Sequence, residues 1–257
     1  MRLKLRFGLA AILAACLAAL ACPVFAADPD TLWNIVSGQC VPNQQARHDP
    51  SPCLSVDLAG GYAVLKDQSG ATQVLVIPTT RITGIESPLL LGDATPNFWA
   101  AAWNARHAVE QFAHRDIPRE DVALAVNSGL ARSQDQLHIH VDCIRRDVRD
   151  ALNTVVDRIG PKWAPLDVSL AGHRYRAMRI AGEDLGANDP FKLLAAGDAM
   201  ARSDMGIETL VVAGAVFEDG SNGFIVLSDR ADIETHDPAG GEALMDHGCQ
   251  VLRPAGG

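Results

Sequence analysis

The sequence predicts an α+β protein built on an antiparallel sheet with packed helices. Two hairpins carry this prediction. Apolar runs at 61–66 and 72–77 flank a turn containing Ser-Gly, and runs at 207–217 and 224–227 flank a second polar turn. Runs of this kind, separated by such turns, pair as antiparallel neighbours. A further strand, at 133–143, alternates polar and apolar residues with a period of two.

The other elements of the first half follow from local signals. We expect a short helix over 30–40, a loop with three prolines over 41–54, a surface segment over 79–91, a helix over 95–114, a strand over 122–127 and a helix over 144–159. Thr95 is expected to cap the second of these helices, with Pro96 at its first position. Apolar residues at helical spacing predict that this helix lies against the sheet.

The second half reads as a smaller α/β unit. Residues 173–180 alternate as a strand, and Asp189-Pro190 opens a helix to about residue 200, before the second hairpin. This order loosely repeats the first half, so the unit is either a degenerate duplication or a set of elements that completes the core. Because no Pro- or Ser-rich linker separates the halves, we treat residues 28–257 as one domain.

The net charge of the chain argues against nucleic acid as a partner. The chain has 257 residues and a formal net charge of -9, so nucleic acid is not expected to bind through a basic surface. A phosphate-bearing ligand would have to be held by local donors.

Residues 1–27 read as an export leader. A basic start is followed by an uncharged stretch from 7 to 27. Cleavage after Ala26, lipid attachment at Cys16 and retention as a membrane anchor are all compatible with it, since about 20 apolar residues span a bilayer. Each outcome places the remainder outside the cytoplasm.

The remaining cysteines fit an exported domain. Cys40, Cys53, Cys143 and Cys249 are an even number, and three pairings are possible. We favour Cys40 with Cys53 and Cys143 with Cys249. A zinc site is the competing use, but no Cys-x-x-Cys spacing supports it.

The chemistry-bearing residues lie on the alternating strand. Gln136, His138, His140 and Asp142 share one face, and two histidines at i and i+2 have Cβ atoms roughly 6–7 Å apart. That distance suits two groups acting on one phosphate or one metal ion. Asn127 and the polar loop that contains Ser133 lie close by in sequence.

These residues alone are compatible with three functions. A neutral imidazole of His138 can attack a phosphoanhydride and form a phosphoramidate. A metallohydrolase would use His138, His140 and Asp142 as ligands, although Cys143 stands where binuclear zinc enzymes often have histidine. A ligand-binding module without catalysis is the third function.

A resemblance to known protein families favours one of these three functions. The run Gln136-Leu-His138-Ile-His140-Val, with Asn127 and Ser133, resembles the histidine triad superfamily. The hairpin at 61–77 and the segments at 78–88, 95–99 and 144–149 are similar to bacterial CDP-diacylglycerol pyrophosphatases. So are the segments at 40–43 and 51–53.

The resemblance implies a histidine-triad-like fold and a hydrolase that splits CDP-diacylglycerol into CMP and phosphatidate without a metal or other cofactor. His138 matches the nucleophile of the family, and His140 matches the histidine that assists at the phosphate and the leaving group. Gln136 stands where the first histidine of the triad usually lies. Asn127, Ser133, Gln136 and Arg132 are the implied substrate contacts, and Arg81 and Arg145 are further candidates.

The implied location is the bacterial inner membrane, with the domain facing the periplasm. A soluble periplasmic protein or a lipoprotein is the alternative. The same covalent intermediate could also make the protein a nucleotidyl transferase.

Overall fold

A computed structural model gives the structure and describes residues 28–254. The predicted leader at 1–27 lies outside the described residues. Within residues 28–254, none of the helices combines the length and the apolar character that crossing a membrane requires.

One antiparallel sheet of ten strands runs through both halves of the described chain, which confirms the α+β class. The strands are β1 (Ser55–Asp57), β2 (Tyr62–Lys66), β3 (Val74–Pro78), β4 (Val122–Val126), β5 (Ile139–Ile144), β6 (Ala164–Leu170), β7 (His173–Ala181), β8 (Glu208–Val216), β9 (Asn222–Arg230) and β10 (Met245–Asp246). Their order is β1-β2-β3-β5-β4-β8-β9-β7-β6, and β10 pairs with the far end of β5. Because β4 pairs with β8, the two halves share one sheet.

The register places the histidines on one face of this sheet. Directly paired residues of neighbouring strands point to the same side. His140 pairs with Leu75 of β3 and with Ala125 of β4, and the row continues to Val211 of β8. The opposite face carries Ile139 and its neighbours.

Helices cover the two faces differently. The helices are α1 (Thr31–Ile35), α2 (Val41–Arg47), α3 (Phe98–Ala113), α4 (Arg146–Asn153), α5 (Pro190–Gly197) and α6 (Ala199–Ser203). Helices α3 and α5 pack on the face opposite the histidines, around Trp99 and Phe191. On the histidine face, α1 packs over β2 and β3, whereas α4 packs with Leu244 and Met245 over β4 and β8. His138 and His140 lie between these two covered regions.

The prediction of a loop over 41–54 is wrong for its first half. The helical path continues from α1 through a π-helical turn at Val36–Cys40 into α2. Pro42 has no N–H group to donate, and it follows the π-helical turn, where the regular α-helical bonding is already interrupted. The left-handed backbone of His48, with φ of 54°, then ends the helix.

Two further helices differ from prediction at their ends. Helix α3 begins at Phe98, and its cap is Asn97 instead of Thr95, because the Asn97 side chain accepts hydrogen bonds from the N–H groups of Trp99 and Ala100. The helix predicted over 144–159 is the shorter α4, followed by a 3-10 turn at Val156–Arg158. The β-branched run from Thr154 to Val156 disfavours a longer helix.

In the second half, the predicted strand at 173–180 and the second hairpin are confirmed as β7, β8 and β9. The helix predicted over 189–200 is broken into α5 and α6, since Asp198 caps a new helix. Strand β6 was not predicted. It is a mostly exposed edge strand containing Pro165, and such strands need no strong apolar pattern.

Both predicted disulfides are confirmed, Cys40–Cys53 and Cys143–Cys249. The first joins the end of the π-helical turn to the segment before β1. The second joins β5 to the segment that follows β10, which returns the chain to the histidine strand.

Candidate active site

A cleft of about 550 Å³ opens on the histidine face between α1 and the segment that precedes β10. One part of its lining is apolar and the other part is polar. The apolar part consists of Leu32, Ile35, Pro52, Leu65 and Leu75. The polar part consists of Thr31, Lys66, Asp67, Gln68, Ser69, Ser133, Gln134, His138, His140 and Glu242. The structure therefore brings both predicted catalytic histidines into one cleft.

His138 immediately precedes β5 and is 8% exposed. Its Nδ1 lies 2.7 Å from the main-chain carbonyl oxygen of Gln136. A carbonyl only accepts hydrogen bonds, so Nδ1 carries the hydrogen and Nε2 keeps its lone pair. Burial lowers the pKa of His138 below its ordinary value of 6.5, so the ring is neutral at pH 7.

His140 lies beside it, with the two ring centroids 4.8 Å apart. Its Nδ1 is 2.7 Å from the Nε2 of Gln73 and 3.5 Å from the Oε1 of Glu242. Its Nε2 is buried and has no hydrogen-bond partner among the described residues. Burial and the neighbouring His138 lower the pKa of His140, so this ring is also neutral at pH 7.

Gln136 does not line the cleft. Its side-chain amide donates to the carbonyl oxygens of Pro78 and Thr80, and its oxygen accepts from the N–H of Ile82. These bonds fix the segment after β3 against the start of the histidine strand. Gln136 thus acts on the site through the backbone, since its own carbonyl oxygen also holds His138.

Asn127 and Ser133 take different positions. Asn127 donates to the Oε2 of Glu242 and accepts from the Glu242 N–H, both at 3.2 Å, so it ties the segment before β10 to the end of β4. Ser133 lines the cleft with an exposed side chain. Ser133 is therefore available to a ligand, whereas Asn127 is bound to Glu242.

The three candidate arginines are all paired with carboxylates, and the described lining of the cleft includes none of them. Arg132 binds Glu86 through two hydrogen bonds of 2.6 and 2.9 Å. Arg81 pairs with Asp30, and Arg145 pairs with Asp147. Arg132 lies closest in sequence to the cleft, but Glu86 binds its guanidinium. Lys66 borders the cleft, but its ammonium group lies over the Phe112 ring of α3, on the opposite face of the sheet.

Asp142 does not join the two histidines. It is fully buried at the far end of β5, where it accepts from the hydroxyl of Thr72 at 2.7 Å and contacts the Nδ1 of His247 at 3.2 Å. The hydrogen bond to Asp142 raises the pKa of His247 above 6.5. The other ring nitrogen of His247 lies 3.5 Å from Glu242 Oε1, so His247 connects the two carboxylates.

Four polar residues of the site were not predicted: Asp67, Gln73, Glu242 and His247. Gln73 had a usable signal, since it stands two residues before Leu75 in a strand and therefore on the same face. His247 had an indirect signal, since it stands two residues before Cys249, whose predicted pairing with Cys143 returns this segment to the histidine strand. Glu242 had none, because its position depends on the pairing of β10 with β5.

The best-placed residues for a metal ion in the cleft are Asp67, His140 and Glu242. Their centre is already taken by the side-chain nitrogen of Gln73. This nitrogen is 2.6 Å from Asp67, 2.7 Å from His140 and 3.2 Å from Glu242. The geometry is that of an amide donor surrounded by three acceptors.

A family model described as CDP-diacylglycerol pyrophosphatase matches residues 27–253. The match contains every residue that lines the cleft.

Proposed function

Since the chain belongs to the CDP-diacylglycerol pyrophosphatase family and is a phosphoanhydride hydrolase, we propose that His138 is the nucleophile in the hydrolysis of CDP-diacylglycerol. The observation that carries this proposal is the hydrogen bond from His138 Nδ1 to the Gln136 carbonyl. It leaves a neutral Nε2 lone pair in a cleft, which is the form of histidine that attacks phosphorus. Gln136 supplies this orientation through its backbone, so the missing first histidine of a triad is compatible with activity.

The proposed reaction has two steps. His138 Nε2 bonds to the phosphorus on the cytidine side, and the bond from that phosphorus to the bridging oxygen breaks. Phosphatidate leaves with the bridging electrons, and cytidylyl-His138 remains. Water then attacks the same phosphorus, the P–N bond breaks, and His138 recovers its neutral form. One proton of the water stays on CMP and the other passes to solvent.

The lining of the cleft supports a role in holding the diphosphate. Ser69 and Ser133 offer hydroxyl donors to the diphosphate. Asp67 accepts a hydrogen bond from Gln73 and Glu242 accepts one from Asn127, which reduces the repulsion of an anionic ligand by these two carboxylates. The fold and the His-x-His strand favour the histidine-triad-like superfamily as the wider relationship.

We also propose that the cleft works at the surface of a bacterial inner membrane, on the periplasmic side. The leader ends where α1 begins, and Thr31 and Leu32 of α1 line the cleft. Backbone and side-chain bonds join Gln134 and Asp135 to Asp28 and Pro29. An anchored leader would thus hold the cleft close to lipid. Alkaline extraction of membranes and protease access to intact spheroplasts test this location.

The test of the nucleophile compares the full chain with its His138→Ala and His107→Ala variants in detergent micelles. His107 is a matched control because its side chain is 62% exposed on α3. CDP-diacylglycerol labelled on the cytidine-side phosphate is used with a chelator present. We expect CMP release and an acid-labile, alkali-stable label on the wild type and on His107→Ala, and neither on His138→Ala.

Other results would point elsewhere. Activity that disappears with the chelator would favour a metal-dependent hydrolase. A labelled alcohol product in the presence of glycerol would show that the intermediate also transfers its nucleotide. Full activity of His138→Ala would refute the proposed mechanism.

A further inference from the structure

The side chain of Gln73 is fully buried beneath His140, on the strand β3 side of the cleft. Its amide nitrogen has two hydrogens and faces three acceptors, namely Asp67, the Nδ1 of His140 and Glu242. The two shortest contacts, 2.6 Å to Asp67 and 2.7 Å to His140, take both hydrogens. Nδ1 of His140 therefore accepts a hydrogen bond.

The opposite orientation of the amide is unfavourable. It would place the Gln73 oxygen 2.6 Å from the Asp67 carboxylate and 3.2 Å from the Glu242 carboxylate. Acceptors facing acceptors in a buried site cost free energy instead of gaining it. The contacts themselves thus assign the nitrogen to the position facing His140.

The tautomer of His140 follows from this bond. A neutral imidazole carries one hydrogen, and with Nδ1 as acceptor that hydrogen is on Nε2. Nε2 of His140 is buried and has no hydrogen-bond partner among residues 28–254. His138 has the reverse arrangement, with hydrogen on Nδ1 and the lone pair on Nε2. One histidine thus presents a lone pair and the other a hydrogen.

We propose that Gln73 is a positioning residue that fixes His140 with hydrogen on Nε2, so that His140 donates a hydrogen bond to the oxygen leaving with phosphatidate. This inference rests on the proposed function of His138. No proton needs to move from His140, because a phosphate monoester has its second pKa near 6 and leaves readily as a dianion. The electron pair of the breaking P–O bond goes to the bridging oxygen, which the Nε2–H then stabilises.

Removal of the Gln73 amide has a defined consequence for His140. With Gln73→Met the remaining neighbour of Nδ1 is the Glu242 carboxylate, at 3.5 Å, which only accepts. The hydrogen therefore moves to Nδ1, and Nε2 then presents a lone pair to the leaving oxygen. Loss of one donor aimed at developing charge lowers kcat by about 100-fold, while ground-state binding and KM change little.

The experiment measures the tautomer and the rate separately. Nitrogen-15 NMR of histidine-labelled full chain, in micelles without substrate, reports which nitrogen of His140 carries hydrogen, and His140→Asn identifies its signals. We expect Nε2–H in the wild type and in Gln111→Met, an exposed control on α3, and Nδ1–H in Gln73→Met. The kcat of Gln73→Met should fall about 100-fold on CDP-diacylglycerol and less on 4-nitrophenyl cytidine 5′-phosphate, whose leaving group is better.

The outcomes separate this inference from the proposed function. Nδ1–H in wild-type His140, or an unchanged kcat in Gln73→Met, would overturn the role of Gln73. A correct tautomer with no label on His138 would instead refute the nucleophile and leave the Gln73 assignment standing. If Gln73→Met does not fold, as judged by its thermal transition, the tautomer of wild-type His140 still decides the matter.

Discussion

The two disulfides should contribute unequally to stability, and the structure gives the size of the difference. Cys143–Cys249 closes 106 residues, whereas Cys40–Cys53 closes 13. If a disulfide stabilises by lowering the entropy of the unfolded chain, one that closes a loop of the longer length contributes about 4.7 kcal/mol, and one that closes the shorter loop contributes about 3 kcal/mol. All four cysteines are at most 6% exposed, so packing losses on substitution are similar and largely cancel in the comparison.

The experiment replaces each pair by alanine and measures the free energy of unfolding in guanidinium chloride. We expect the variant without Cys143 and Cys249 to be less stable than the variant without Cys40 and Cys53 by about 2 kcal/mol. It should also lose more activity, since Cys143 follows Asp142 and Cys249 lies two residues after His247. Equal losses of stability, or a larger loss for the short loop, would refute the argument from loop length.

The structure also predicts the direction of three other effects, two of pH and one of a substitution. The pKa of His138 is lowered by burial, so kcat/KM should stay constant from pH 8 down to 6.5 and decline only below it; a decline centred above 6.5 would contradict a buried neutral nucleophile. The hydrogen bond to Asp142 raises the pKa of His247 in the folded protein. The ion pair of His247 with Asp142 therefore contributes its full stabilisation below pH 6.5 and loses it as the pH rises through the raised pKa of the folded protein. The free energies of unfolding of wild type and His247→Gln, measured with denaturant, should converge at high pH. Gly214→Ala would place a Cβ 2.2 Å from the carbonyl oxygen of Arg119 and should lower the free energy of unfolding by about 1–3 kcal/mol, whereas no change in the melting temperature would show that β8 can shift.

The parts of the fold that are encoded locally were predictable. The alternation around His138 and His140 identified both the strand and the face that forms the cleft, because a period of two fixes which side chains point together. The hairpins were found from an equally short-range pattern, whereas the cysteine pairs were expected from the even number of cysteines in an exported domain. Helix ends were less accurate, since Asn97 and Asp198 compete with nearby residues for the capping position.

The rest of the site depends on long-range pairing, which a local pattern does not contain. Glu242 reaches His140 because β10 joins β5 and Asn127 holds the intervening turn. The arginines were candidates for phosphate contacts in the sequence, but in the structure they pair with carboxylates. Arg132 looks like a phosphate ligand in the sequence, but Glu86, 46 residues away, binds its guanidinium. Charge alone does not say which acceptor a side chain will meet in the fold.

The return of the C-terminal segment to β5 also determines when the cleft is finished during synthesis. Asp142 and its partner His247 are separated by 105 residues. At roughly 5–20 residues per second, a ribosome needs on the order of 5–20 s to add that length. During this delay a nascent chain holds His138 and His140 without the Glu242 carboxylate that lies beside His140. An unfinished chain thus lacks part of the site, which is complete only after the C-terminal segment has docked on β5.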